Sequence, residues 1–175
     1  MSAWLEAKYK ELGDTKPRYD RAVAALEAQD IAFTDLVDEC CRSCALSGDA
    51  IKEGSTGAYA WTFIGQDPKL IWVDGVLREF EEYYDEDEDD LDDGFEDDEE
   101  QDETTSEDID KSDTLLGAAP DLYVYYGTTG EEEESLEIAK KVAEAFKAEG
   151  FEVKWDGTTN DSICLILAPD FRRNY

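Results

Sequence analysis

Cys40, Cys41 and Cys44, in the run DECCRSCAL, are the residues whose types and spacing come closest to chemistry. Cys41 and Cys44 have the C-x-x-C spacing that lets two thiolates reach one zinc ion, and on a helix Cys40 would lie one turn from Cys44 on the same face. A fourth ligand could come only from Cys164 or a carboxylate, because the chain has no histidine and no second C-x-x-C. Three readings of the cluster stand together: buried thiols, a zinc site, and thiol redox chemistry. Burial is the default, since free cysteine is among the most buried residue types, so no cofactor is required and zinc is the one to test. Cys164, inside the apolar run SICLILA, is expected in the core.

The lack of histidine also removes the commonest general base and the usual partner of a serine or cysteine nucleophile. Conventional triads are excluded. Gly127-Thr128-Thr129-Gly130 stands between a strand and a helix as a phosphate loop would, but it lacks the loop lysine, and the glutamates after it would repel an anion. Placing Gly94 on the invariant glycine of an EF-hand puts Leu91 on a ligand position, so the acidic stretch is no such calcium loop. The expectation is a protein that is not an enzyme; the alternative is a small zinc- or thiol-dependent protein built on Cys40, Cys41 and Cys44.

Asp85 to Asp113 reads almost unbroken as Asp and Glu. The window holds 19 acids and one base and so carries −18 of the total charge of −31; the rest of the chain has 28 acids against 15 bases. So dense a block of like charge cannot pack, and it is expected to be disordered and solvated or neutralised by a partner. Direct binding to nucleic acid or to an anionic membrane is disfavoured, because the clustered Lys and Arg that release counterions are missing. A basic protein is the favoured partner, a nucleic-acid-binding one among the candidates. The chain would then act as an acidic binding protein, an inhibitor or immunity-type protein that presents carboxylates where a phosphate backbone would lie. The residues expected to meet that partner are Asp89, Asp90, Asp92, Asp93, Phe95, Asp97, Asp98, Glu99 and Glu100, together with Trp155 and Asp156 near the C-terminal end. A solubilising loop with no partner is the plainer alternative. No stretch has the apolar length of a membrane span, and the N-terminus is amphipathic, so a cytoplasmic protein is expected.

The elements that would position these residues follow from periodicity. Trp4, Leu5, Tyr9 and Leu12 recur at helical spacing within Met1–Gly13, and Asp14 to Pro17 should interrupt them. A helix is expected over Arg18–Gln29 with Ala22, Val23 and Leu26 buried, and another from Thr34 to Gly48 carrying Leu36, Val37, Cys40, Cys41 and Cys44 on one stripe. Ala58–Ile64 and Lys69–Val73 read as strands, Asp74-Gly75 as a turn, and the residues from Val76 toward Glu86 have helix-like spacing. Asp121–Gly127 alternates as a strand. SLEIAKKVAEAFKAEG is a helix with Leu136, Ile138, Ala139, Val142, Ala143 and Phe146 buried and Gly150 as its C-terminal cap. Phe151–Trp155 and Ser162–Ala168 are strands joined by the turn DGTTND, so residues 121 to 155 form a β-α-β unit. The fold class is α+β: N-terminal helices on a small mixed sheet with a C-terminal hairpin. Residues 1–84 and 114–175 make one domain, and 85–113 are a polyacidic insertion.

The order of CCRSC, AYAWTFIGQDP, DLYVYYGTT, AKKVAEAFKAEGF and VKWDGTTNDSICLIL resembles a bacterial domain family of unknown function. That family carries a CC-x-x-C helix, a Tyr-rich L-Y-x-x-Y-G strand and a terminal W-D-G hairpin. Cys40, Cys41, Cys44, Gln66, Asp67, Tyr126, Gly127, Trp155, Asp156 and Gly157 are the positions that fit, with the acidic block inserted ahead of the Tyr-Gly strand. The family's histidine is replaced here, near Ile64 or Gly65, by an apolar or small residue. The resemblance implies a fold and no activity.

Overall fold

Side-chain alternation in the strands and a four-residue rhythm in the helices set up one shared apolar face. The computed structural model describes Lys10 and residues 12–38, 57–65, 69–81, 114–129 and 132–168. Its elements run α1 (Thr15–Glu27), β1 (Ile31–Val37), β2 (Ala58–Phe63), β3 (Lys69–Val73), β4 (Val76–Glu81), β5 (Thr114–Ala118), β6 (Asp121–Thr128), α2 (Glu132–Ala148), β7 (Glu152–Lys154) and β8 (Ile163–Ile166). The class is α+β, as the sequence indicates. Five strands form one sheet in the order β1-β2-β6-β8-β7, and β3-β4-β5 form a second. β1 and β2 pair in parallel, whereas β2–β6, β6–β8 and β8–β7 pair antiparallel.

Both helices cover one face of the five-stranded sheet. Tyr19, Ala22 and Leu26 of α1 and Ile138, Ala139, Val142 and Phe146 of α2 lie in one buried cluster with Phe33, Ala60, Leu122, Val124, Ile163 and Leu165. Burying the larger of these side chains contributes about 1.5–3 kcal/mol each. α2 closes as its sequence demands: Gly150 adopts φ +84°, its N–H reaches the carbonyl of Lys147, and the N–H of Phe151 reaches that of Phe146. The Arg18 guanidinium lies 4.7 Å from the Phe151 ring centre, and Arg21 Nε donates to Glu149 at 2.7 Å, tying α1 to the end of α2. α1 starts three residues earlier than its apolar spacing suggests. Pro17 does not break it, because a first-turn residue has no intrahelical use for the missing N–H.

Four expectations are corrected. Thr34 is not a helix cap: Ile31–Val37 is a strand, paired from Ile31 opposite Ala58 to Val37 opposite Phe63. The adjacent Leu36 and Val37 imitate a helical stripe because one extra residue bulges the strand between Thr34 and Val37, with Leu36 at φ +48°. Leu36 then packs on the main core and Val37 on the opposite face. Val76–Glu81 is a strand as well, joined to β3 by Asp74 (φ +50°) and Gly75 (φ +81°). Two consecutive positive φ values at Asp-Gly are the signature of a two-residue hairpin, so the turn signal should have outweighed the helical spacing. The unit over residues 121–155 does not put its strands side by side: β8 lies between the parallel β6 and β7. The all-apolar β8 fills the gap that a simple β-α-β unit would have closed. Cys164, finally, is only half-buried, since Ile163 and Leu165 take the core side of β8.

Glu81 pairs with Thr114, so the acidic insertion leaves the end of β4 and returns into the neighbouring β5. Residues 85–113, including Asp89 to Glu100 and the disorder expected of them, lie outside the described residues, as do Cys40, Cys41 and Cys44.

Candidate functional site

Two arrangements of polar and aromatic side chains stand out from the sheet. The first is buried. Asp35, half-buried within the bulge of β1, is the common acceptor: Tyr19 Oη donates to its Oδ1 at 2.7 Å, Thr62 Oγ1 donates to the same oxygen at 2.6 Å, and Trp72 Nε1 donates to Oδ2 at 3.0 Å. Thr62 Oγ1 in turn accepts the N–H of Leu36 at 2.8 Å, so the network also holds the bulge. Burial first, and the Asp35 charge second, raise the Tyr19 pKa well above its ordinary value of 10.0. A tyrosine and a carboxylate at hydrogen-bond distance could exchange a proton, but Tyr19 is 1 % exposed and no substrate can reach its hydroxyl. Asp35 is a structural anchor: its carboxylate joins α1, β1, β2 and β3.

The second arrangement lies on the sheet face away from the helices. Leu122, Val124 and Tyr126 take the core side of β6, which leaves Asp121, Tyr123 and Tyr125 on the other. Tyr125 stacks on Trp61 at 5.7 Å and 23°, and meets Phe63 edge-on at 5.0 Å and 72°. Beyond Phe63 the surface opens into a cleft of about 240 Å³ between the two sheets, lined by Phe63, Leu70, Glu79, Asp121, Tyr123 and Tyr125, with Gly65, Pro120 and Leu122 completing it. Leu70 N–H, on β3, donates to the carbonyl of Ile64 just past β2, which joins the two sheets beside the cleft. Tyr123 is 47 % exposed at its mouth. Cys164 as a thiolate, directly across from Tyr123 on β8, and then the Asp121 carboxylate raise the Tyr123 pKa above its ordinary value by placing negative charge beside the hydroxyl. The cleft offers carboxylates and ring faces, a lining suited to a cation.

Trp155 and Asp156 sit in the loop between β7 and β8. Asp156 Oδ1 accepts from Thr158 N at 2.7 Å and Thr158 Oγ1 at 2.8 Å, and Trp155 Nε1 donates to the Thr158 carbonyl at 3.0 Å. Tyr126 Oη lies 2.8 Å from both the Thr158 and the Asp161 carbonyls, so its one proton is shared between them. The loop is thus built by the residues expected to recognise a partner, and it lies apart from the cleft on another set of side chains. Among the described residues no group of three or more Cys, Asp and Glu is arranged to hold a metal ion, and no described helix is long and apolar enough to cross a membrane.

Sequence reasoning missed both arrangements. The cleft could have been suspected from DLYVYYG, where strict alternation puts an acid and two tyrosines on one side of a strand whose other side is core. Asp35 carried no local signal at all.

Residues 110–173 match the model of a family described as a domain of unknown function, DUF6891. The match spans β5 to β8, and with them Tyr126, Gly127, Trp155, Asp156 and Gly157; the cysteines precede it. It agrees with the resemblance to a domain family of unknown function and assigns no activity. No curated protein matches this chain, and no solved structure does.

Proposed function

We propose that this chain is a non-enzymatic acidic protein that binds a basic protein partner, with an inhibitor or immunity-type role by nucleic-acid charge mimicry as the most specific form of that activity. The observation that carries the reading is the charge distribution: 19 acids and one base between Asp85 and Asp113, on a chain of net charge −31. The pairing of Glu81 with Thr114 supports it, because it makes the acidic block a loop emerging from one place on the folded surface rather than a tail. Asp89, Asp90, Asp92, Asp93, Phe95, Asp97, Asp98, Glu99 and Glu100 would supply the attraction, with Trp155 and Asp156 as a second contact. Steering of this kind raises the association rate and is screened over about 8 Å at physiological salt.

The test replaces residues 85–113 by a short Gly/Ser linker and compares both chains, immobilised at low salt, against native lysate. The expected result is one dominant basic protein retained by the full chain, released by moderate salt, and captured poorly by the replaced chain because association slows more than dissociation quickens. A thermal melt controls for folding; shortening the loop should leave the fold standing, since closure entropy changes by only about 0.6 kcal/mol per halving. Binding that survives replacement but fails in Trp155→Ala or Asp156→Ala would move recognition to the β7–β8 loop and leave the acidic run as a solubility device.

A further inference from the structure

We infer that the cleft between the two sheets is a receptor for one arginine side chain of the basic partner, its guanidinium packed against the ring faces and paired with the Asp121 carboxylate; the identity of the donor as a basic protein rests on the reading above. The geometry comes first. Asp121, Tyr123 and Tyr125 alternate along one face of β6, and Phe63 joins them from β2 with its ring at 72° to that of Tyr125. Phe63 and Tyr125 meet edge to face at 5.0 Å, Tyr125 also stacks on Trp61, and Tyr123 at the mouth is the ring most open to a ligand. Among the described residues that line the cleft, Glu79 and Asp121 carry charge and no Lys or Arg is present. An anion would meet carboxylates there. An apolar ligand would strip water from carboxylates and give nothing in return.

A cation with a flat face satisfies both kinds of lining. A guanidinium stacks on an aromatic ring and presents two parallel N–H groups to one carboxylate, which the compact, strongly hydrated ammonium of lysine cannot do. Size argues for a side chain rather than a free metabolite, because about 240 Å³ falls below the roughly 300–1,000 Å³ of sites that enclose drug-sized ligands. Position argues for a protein donor. Glu79 lies two residues before Glu81, where the acidic loop leaves β4, and the loop's return strand β5 leads through Ala119 and Pro120 straight into Asp121. Through Glu79 the cleft comes within two residues of the place where the segment that attracts basic surfaces leaves β4. A partner drawn in by the loop would meet a pocket that fits arginine, one of the side chains enriched at binding hot spots.

The experiment is a titration of the isotope-labelled full chain with N-acetyl-arginine methylamide at low salt, followed by NMR, with the norleucine and lysine methylamides as controls. Saturable shifts at Phe63, Tyr123 and Tyr125, with a dissociation constant on the order of 1–10 mM, are expected for the arginine compound. The lysine compound should bind several-fold more weakly and the norleucine compound not at all. Asp121→Asn should weaken binding about tenfold, the usual scale of a lost charge-assisted pair. Tyr123→Ala, at an exposed position that leaves the core intact, should weaken it several-fold. Shifts that stay linear, that appear equally with norleucine or lysine, or that are unchanged in Asp121→Asn would overturn the proposal. The chain lacking residues 85–113 should titrate almost as the full chain does. A basic partner bound through the acidic loop without any titration of the cleft removes this inference alone; a titrating cleft on a chain that captures no basic protein removes the partner reading alone.

Discussion

Replacing Asp35 by alanine takes the acceptor away from three donors at once, and the structure says how much each should cost. While the neighbouring Thr62 oxygen already takes the Leu36 N–H, the Tyr19 hydroxyl is fully buried and loses its carboxylate acceptor. Its orphaning should cost about 1–3 kcal/mol. Thr62 keeps the Leu36 N–H as a donor to its oxygen but loses the acceptor for its own proton. Trp72 is half-buried, so water can replace the carboxylate at Nε1 and its share lies at the low end. The sum is about 3–4 kcal/mol, a large part of the 5–15 kcal/mol that holds a typical domain together. Asp35→Asn is the sharper variant. Its remaining oxygen can still accept from Tyr19 and Thr62, while its amide presents N–H to the Trp72 N–H, so only one of the three bonds is lost and the cost falls to about 1–2 kcal/mol. Equilibrium urea unfolding followed by tryptophan fluorescence measures both. With a slope of about 2 kcal/mol/M the midpoint should fall by roughly 1.5–2 M for alanine and less than 1 M for asparagine. A loss under about 1 kcal/mol for alanine, or an equal loss for the two variants, would show that the carboxylate is not the common acceptor.

Alkaline pH should act on the same network. The Tyr19 pKa is raised in the folded chain, so above the ordinary value of 10.0 the unfolded chain loses its proton first and stability falls, by about 1.4 kcal/mol per pH unit, until the folded value is passed. Urea midpoints between pH 9 and 11 should drop less steeply in Tyr19→Phe, and parallel curves would contradict the assignment. Gly127→Ala should destabilise by about 1–3 kcal/mol, because its added carbon would stand 2.8–2.9 Å from the ring and hydroxyl of Tyr59, which is itself packed on Trp61. A thermal melt unchanged by that substitution would mean that the Tyr59 ring swings aside freely.

Much of the architecture is local enough to be written in the chain. The stripe from Ile138 to Phe146, with Gly150 placed after it, specifies α2 and its cap because helical contacts and capping bonds join residues only a few positions apart. Asp74-Gly75 specifies a hairpin turn for the same reason, since two positive φ values cost least at those residue types. The acidic block is fully determined by sequence, as charge needs no fold. β1 and β4 were not legible: Leu36-Val37 and Val76–Glu81 have helical spacing, and only pairing with β2 and β3 makes them strands. Asp35 becomes an anchor because residues 19, 62 and 72 converge on it from 16 to 37 positions away, farther than a local window reaches, and the cleft exists only where β2, β3, β4 and β6 meet. Separation along the chain is the physical reason. Backbone propensity acts between neighbours, whereas the groups that surround a carboxylate or shape a pocket are chosen by packing, after distant segments have paid the entropy of coming together.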